Sequence, residues 1–407
     1  MIPFSPPKIT DEIVKAVEEV LRSGWITTGP KTKEFEKRIT EYCGCKSTLC
    51  LNSATAGLEI ILRWYGVGKG DEVIVPAYTY SATANVVMHC GAKVVFVDTN
   101  SDDFNISVEK IEKAITSRTK VIMPVDFAGL PCDYDAINEL VNRKDIRKKF
   151  KAITKEQKQM KRILVLSDSA HSIGATYKGR KTGSLTDVSV FSFHAVKNLI
   201  TAEGGGVCLN LPAPFDNEKI YRELCIKSLH GQNKDALAKT QKGAWRYDIV
   251  EAGYKCNMTD IAAVMGLVEL NTYNSDTLVR RKKICEAYLE VFSKYEWAQT
   301  PVLKDSSRES SYHLFPLRIK GIKENQRDEI INEIFEHEVS VNVHFTPVPM
   351  MSFYKKLGYK IENYPIAYNN YSREISLPVY YNLSDEQVQT VINSVVKSVQ
   401  EVFKPLM

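Results

Sequence analysis

The sequence predicts an α/β chain: a large unit on a mostly parallel mixed sheet flanked by helices, then a smaller α+β unit. Two patterns predict the sheet. Six short runs, EVIVP (72–76), KVVFVD (93–98), TKVIMP (119–124), RILVLSD (162–168), VSVFSF (188–193) and GGVCLN (205–210), are apolar through most of their length. Strands covered on both faces read this way. Helix-patterned segments separate them, each with turn residues at an end, which is the β-α-β alternation of an open sheet. The second unit follows from a third observation: after about residue 258 the alternation gives way to a long helical pattern and then to sparser strands.

Taken in order, the run STLCLN leads into the small residues NSATAGLE, which open the helix TAGLEIILRWYG. TYSATANVVMHCG follows the run at 72–76, SVEKIEKAIT the run at 93–98 and CDYDAINELVNR the run at 119–124. TDIAAVMGLVELNTYNSDTLVRRKKICEAYLEVF reads as one long helix. Beyond it HLFPLRI and VSVNVHF read as strands, alternating with the helices NQRDEIINEIFEH and SDEQVQTVINSVVKSVQEVF. The implied division is a large domain at 1–258, with an N-terminal arm and a basic insert at 143–162, and a connecting helix with a small C-terminal domain at 259–407.

A chain of 407 residues has room for such a core, and 44% hydrophobic with 25% charged residues excludes disorder and fibrous repeats. The net charge of +5 invites a polyanion partner. However, ten Lys and Arg against two acids, a net of +8, lie between Arg143 and Arg162, so the remainder carries −3. The insert is read as a solvated helical extension, and no nucleic-acid partner is expected. The nine cysteines cluster only at Cys43, Cys45 and Cys50, without a paired histidine spacing, so no metal site is expected. With no apolar run of membrane length and no leader pattern, a reduced, cytoplasmic protein without a membrane partner is expected.

Ligands of open α/β sheets collect beyond the carboxyl ends of strands, and three constellations fall there. Asp168 closes RILVLSD, with His171 three residues on. Ser192 and Lys197, in SFHAVKN, follow the strand VSVFSF and precede Glu203 and Gly204–Gly206. Ser53–Gly57 opens a helix whose first amides are free, a ready anion site. Alone, each has an ordinary explanation: a turn cap, a solvated charge, a helix cap. Pyridoxal phosphate needs all three together: a lysine to hold its aldehyde as a Schiff base, an acid to keep its ring nitrogen protonated, and a phosphate cup. Lys197, Asp168 and Ser53–Gly57 with Ser192 suit those needs, and Tyr80, after the strand at 72–76, is a candidate to stack on the ring.

These residues lie within GWITTGPKTKEFEKRI, LNSATAGLEIIL, GDEVIVPAYTYSATANVV, GAKVVFVD, SDSAHSIGATYKGRKTGS, FSFHAVKNLITAEGGGV, GYKCNMTDIAAVMGLVEL and VHFTP. Together the segments resemble the DegT/DnrJ/StrS aminotransferases, pyridoxal-phosphate enzymes of fold type I that act on nucleotide-linked keto sugars. HAVKNLITAEGG and VDFAGLPCDYDAI are similar to the branch that makes 4-amino sugars. The resemblance implies that Lys197 and Asp168 are catalytic and hold the cofactor's aldehyde carbon and ring nitrogen. It also implies that His171 sits near the cofactor hydroxyl and that Ala54, Thr55 and Ser192 contact the phosphate. Tyr80 would stack on the ring, Asn257 would reach the phosphate from a neighbouring subunit, and His344 would contact substrate.

A homodimer with shared sites follows from the role of Asn257. So does a two-step reaction with L-glutamate as donor and a nucleotide-linked keto sugar, most simply a 4-keto-6-deoxy hexose, as acceptor, in amino-sugar synthesis for a surface polysaccharide. Dehydratase relatives replace the lysine by histidine; here the lysine is present, which favours transamination. A 3-keto sugar or aminocyclitol aminotransferase, or a pyridoxal-phosphate lyase on the same fold, is the alternative.

Overall fold

The computed structural model describes residues 1–234 and 246–403. Seven strands form the main sheet: β1 Ser47–Leu51, β2 Glu72–Pro76, β3 Lys93–Val97, β4 Thr119–Ile122, β5 Leu164–Asp168, β6 Val188–Ser192 and β7 Gly205–Leu209. Their order is β1-β7-β6-β5-β4-β2-β3. β3, β2, β4, β5 and β6 run parallel, whereas β7 runs antiparallel to both β6 and β1. Apart from the β3 edge, these strands are buried along their length, which is why their sequences carry no polar alternation. The α/β class expected from the sequence is the architecture observed.

Helices pack on both faces. α1 (Asp11–Ser23) begins with Thr10, whose hydroxyl accepts from Ile13 N, and ends at Gly24 in the left-handed region. α2 (Pro30–Cys43) starts with proline at its first position. α3 (Ala54–Trp64) is capped by Ser53, and α4 (Ser81–His89) follows β2. Val73, Val75, Val121, Leu164, Leu166, Val188 and Val190 pack with α3 and α4 in the largest apolar cluster.

Two expectations change. The stretch 259–292 is not one helix: Asp260–Thr272 and Leu278–Phe292 are joined by a π-helical turn at Tyr273–Thr277. The first half packs against Phe35 and Ile39 of α2, the second into a separate cluster with Phe315, Leu317, Ile375 and Val395. VSVNVHF is not a strand. It is held by two single bridges, Ile2 to Val339 and Asn342 to Ser376, and the C-terminal sheet consists of Ala298–Gln299, Phe315–Ile319 and Glu374–Leu377. The basic insert folds as two short helices, Lys144–Lys149 and Lys155–Met160, pinned by buried Ile146 and Met160 and by Gln157 Nε2 donating 3.0 Å to Tyr65 O. All nine cysteines are free thiols. No helix among the described residues is long and apolar enough to cross a membrane, and none of their His, Cys, Asp and Glu side chains form a metal-sized group of three.

Candidate active site

A cleft of about 460 Å³ opens beyond the carboxyl ends of β2, β5 and β6. Eight of the nine residues singled out in the sequence line it: Ala54, Thr55, Tyr80, Asp168, His171, Ser192, Lys197 and His344. Asn257 does not. Its backbone bridges Leu51 beside the start of α3, and its side chain is taken up by Thr28 and Lys255.

Asp168 ends β5, 6% exposed, and lines the cleft. Burial pushes its carboxyl above the usual range. Thr83 Oγ1 in the first turns of α4 donates to Oδ2 at 2.8 Å, Ala170 N donates to Oδ1 at 3.3 Å, and the Lys197 charge joins them in opposing the rise. Thr83 went unnoticed in the sequence, where TYSATANVV reads only as a helix.

Lys197 sits in the loop that reverses the chain between β6 and β7. The loop is tied at both ends and in the middle: Phe193 N donates to Gly204 O (2.9 Å), Thr201 N to Phe193 O (2.7 Å), Lys197 N to His194 O (2.8 Å) and Ile200 N to Glu269 Oε2 (2.7 Å). Its side chain is half-buried and makes no hydrogen bond or ion pair among the described residues. Loss of water lowers its ammonium to about 8, against the pull of Asp168 in the other direction.

At the far end, the Ser53 hydroxyl accepts from Ala56 N at 3.1 Å, which leaves the Ala54 and Thr55 amides among those a helix start cannot pair internally. Gly205 explains how β7 passes so close: a Cβ there would lie 2.4 Å from Ala54 N and 2.4 Å from Ser53 C. That close approach accounts for the glycine at 205. Ser192, 8% exposed, stands beside this helix start and accepts from His194 N at 3.4 Å.

The opposite wall comes from the N-terminal arm and the C-terminal half. Phe4 stacks on His344, with centroids 5.4 Å apart and planes 23° apart. Tyr80, 61% exposed at the mouth, packs against Phe345 at 5.6 Å. His313 lies 4.3 Å from His171, ring to ring, and was not legible in HLFPLRI. Asn198 gives its amide N–H to Ser311 O at 2.7 Å, so its carbonyl faces His313 Nδ1, which therefore carries the proton of that 2.8 Å bond. Burial and Lys197 hold His171, His313 and His344 well below the ordinary imidazole range, His344 at about 3, and all three are neutral.

The donor set fits pyridoxal phosphate. An unpaired, partly deprotonated lysine can hold an aldehyde, a buried carboxylate with its own donors can hold a ring N–H, and a glycine-cleared helix start can hold a phosphate. The buried His171 Nδ1 has no hydrogen-bond partner, so one further polar group of a ligand would find an open site there.

Residues 7–396 match the model of the DegT/DnrJ/EryC1/StrS aminotransferase family. The chain is 40% identical to an uncharacterized protein of Methanocaldococcus jannaschii over 98% of both chains. It is 37% identical to a spore coat polysaccharide biosynthesis protein of Bacillus subtilis over 97% of this chain and 96% of the relative. Among solved structures, a chain of Streptococcus pneumoniae described as a sugar aminotransferase superposes in its pyridoxamine-phosphate form with a TM-score of 0.95 at 48% identity, over 99% of this chain and 100% of that one. In its pyridoxal-phosphate form it superposes with a TM-score of 0.94 at 46% identity, over 99% of each chain.

Proposed function

The chain belongs to the DegT/DnrJ/EryC1/StrS aminotransferase family, and from that membership we propose that it transfers an amino group from L-glutamate to a nucleotide-linked 4-keto-6-deoxy hexose in the synthesis of an amino sugar for a surface glycan. It is a pyridoxal-phosphate-dependent aminotransferase. When bound, the cofactor supplies a carbonyl that exchanges amino groups and a protonated ring that accepts the electron pair freed as a proton leaves the substrate carbon.

Lys197 is the proton carrier. Because its ammonium lies near 8, about a tenth of the population is neutral at pH 7, far more than for an ordinary lysine, so it can take a proton from a carbon acid and return it in the second half of the cycle. Asp168 keeps the ring nitrogen protonated, with Thr83 holding the carboxylate's other side so that it points one way. The Ala54 and Thr55 amides and the Ser192 hydroxyl receive the phosphate, Tyr80 covers the ring from the mouth, and His171 faces the cofactor hydroxyl. His344 meets the substrate from the opposite wall.

The observation that carries this reading is the convergence, in one cleft, of an unpaired half-buried lysine, a buried carboxylate and a glycine-cleared helix start. The active form in this reading is a homodimer. Lys197 is the only lysine or arginine among the described residues lining the cleft, so the dianionic phosphate has no cation of its own at the helix start, and Asn257 lies outside the cleft of its own chain. In this reading a neighbouring subunit's Asn257 adds a neutral side-chain amide N–H to the donors around the phosphate.

The test is a panel of UDP-, GDP- and dTDP-linked 3-keto and 4-keto sugars incubated with holoenzyme and L-glutamate and followed by mass spectrometry. The expected result is one amino-sugar product with equimolar 2-oxoglutarate. Product from a 3-keto sugar alone moves the assignment to carbon 3, and product from none of the panel overturns the nucleotide-sugar reading in favour of an aminocyclitol or a lyase.

A further inference from the structure

Behind His344 lies a buried carboxyl that the reaction described so far does not use. Glu374 and Ser376 stand on the C-terminal strand Glu374–Leu377, both fully buried. The Ser376 hydroxyl reaches Glu374 Oε1, and His344 Nδ1 lies 2.9 Å from Ser376 Oγ. The second carboxyl oxygen is committed: Oε2 accepts from the His344 backbone N–H at 3.0 Å. The segment bearing His344 is clamped on this strand by Ser376 N donating to Asn342 O (2.7 Å) and Asn342 N to Ser376 O (3.2 Å). Tyr78 donates its hydroxyl to His344 O from the other side.

No ion pair reaches Glu374 among the described residues. The terminal nitrogens of Arg318 bond Ser101 O, Asp102 O and Asn370, Arg327 bonds Asp328, Tyr371 O and Glu374 O, and the two charges reach the Glu374 carboxyl only through space. A buried carboxyl without a cation is costly to keep charged, and groups so placed are functional candidates.

We propose that Glu374, Ser376 and His344 form a one-proton relay between the interior and the cleft, in which the state of Glu374 sets whether His344 Nε2 accepts or donates. A serine has one proton to give. With Glu374 ionised, Ser376 donates to it, Oγ accepts from His344 Nδ1–H, and Nε2 presents a lone pair. With Glu374 protonated, the proton must sit on Oε1, because Oε2 is accepting from the backbone. It is donated to Ser376 Oγ, Ser376 turns its own proton to Nδ1, and Nε2 carries the N–H. A proton taken up at Nε2 from the cleft thus passes Nδ1–H to Ser376 and the serine proton to Glu374: one proton enters, one is stored, and no imidazolium forms beside Lys197. Burial favours this division, lifting Glu374 to about 8 while holding His344 at about 3. The titratable and charged groups facing the relay are Lys197, His171 and His313 at its cleft end and Tyr78, Arg318 and Arg327 at its core end.

The relay rests on the aminotransferase reading for its use, which is to receive or return the proton of a substrate amine or hydroxyl, but its test does not. Holoenzyme labelled with ¹⁵N-histidine, with His344 assigned by difference against His344→Gln, is titrated from pH 6 to pH 9.5. The expected result is exchange of the proton from Nε2 to Nδ1 with a midpoint near 8. Glu374→Gln must turn its NH₂ to Ser376, since its oxygen still accepts from the backbone, and should hold the Nε2–H form throughout. Ser376→Ala should uncouple the tautomer from pH, and Ser376→Thr should restore the coupling. In Lys197→Met the exchange should persist.

A tautomer of His344 that is the same at both ends of the titration overturns the relay, as does an exchange that survives in Glu374→Gln or vanishes in Lys197→Met. If the keto-sugar panel fails while the exchange is seen, the substrate reading falls and the relay stands. If the panel succeeds without the exchange, the reverse holds.

Discussion

Two buried carboxyls flank the cleft and are used in opposite ways. Asp168 lies at the end of a parallel strand, open to the cleft, with Thr83 and Ala170 N donating to it and the Lys197 charge acting on it. Glu374 is sealed within the C-terminal sheet and reaches the cleft only through one hydroxyl and one imidazole. Both are pushed up by burial, Glu374 to about 8. Each accepts two hydrogen bonds and neither has an ion pair among the described residues, so access separates them. A carboxylate that opens on the cleft can meet a ligand N–H as a fixed charge, whereas one sealed from the cleft and titrating near the working pH is suited to holding a proton.

The contrast can be broken from the Asp168 side first. Lys197→Met removes the proposed proton carrier, and turnover should fall by about 10⁴-fold, read as 2-oxoglutarate formed from L-glutamate. Asp168→Asn keeps the shape but not the charge. Cofactor should remain bound while the rate falls roughly 100-fold, and an unchanged rate would remove Asp168 from the ring nitrogen. Thr83→Val deletes one hydrogen bond to that carboxylate, a loss of about 1.5–3 kcal/mol for a charged acceptor. It should lower kcat about tenfold and move the acidic limb of the pH–rate profile upward.

A stability effect sharpens the other side. An unfolded Glu374 titrates near 4.5 and the folded one near 8, so between those values the folded chain holds a proton that the unfolded chain has lost. Stability from this group is full below about 4.5 and is lost as pH rises to about 8. Denaturant melts of Glu374→Gln between pH 5 and 8 should therefore show a shallower decline than those of the parent chain.

The Asp168 wall was readable from the sequence because its residues are punctuation: Asp168 ends an apolar run, Lys197 follows one, and Ser53 starts a helix. Each is placed by local pattern plus the rule that ligands gather at strand ends. The wall opposite is assembled from contacts between distant segments. His313 meets Asn198 across 115 positions, and Tyr78 meets His344 across 266. No periodicity in HLFPLRI or EISLPV marks those meetings. VSVNVHF misled because its alternation mimics a strand, although single bridges, not a ladder, hold it. Likewise the helical pattern of 259–292 runs unbroken through the π-turn at Tyr273–Thr277, which adds a residue to one turn without disturbing the apolar spacing enough to show.

The measurement that bears most directly on the central claim, that Lys197 is the residue joined to the cofactor and opposed by Asp168, is borohydride reduction of the holoenzyme followed by peptide mapping. The expected result is a single pyridoxyl group on the lysine of SFHAVKN, at position 197, absent when L-glutamate is added before the reductant. A label on any other lysine, or a holoenzyme that turns over fully without labelling Lys197, contradicts it.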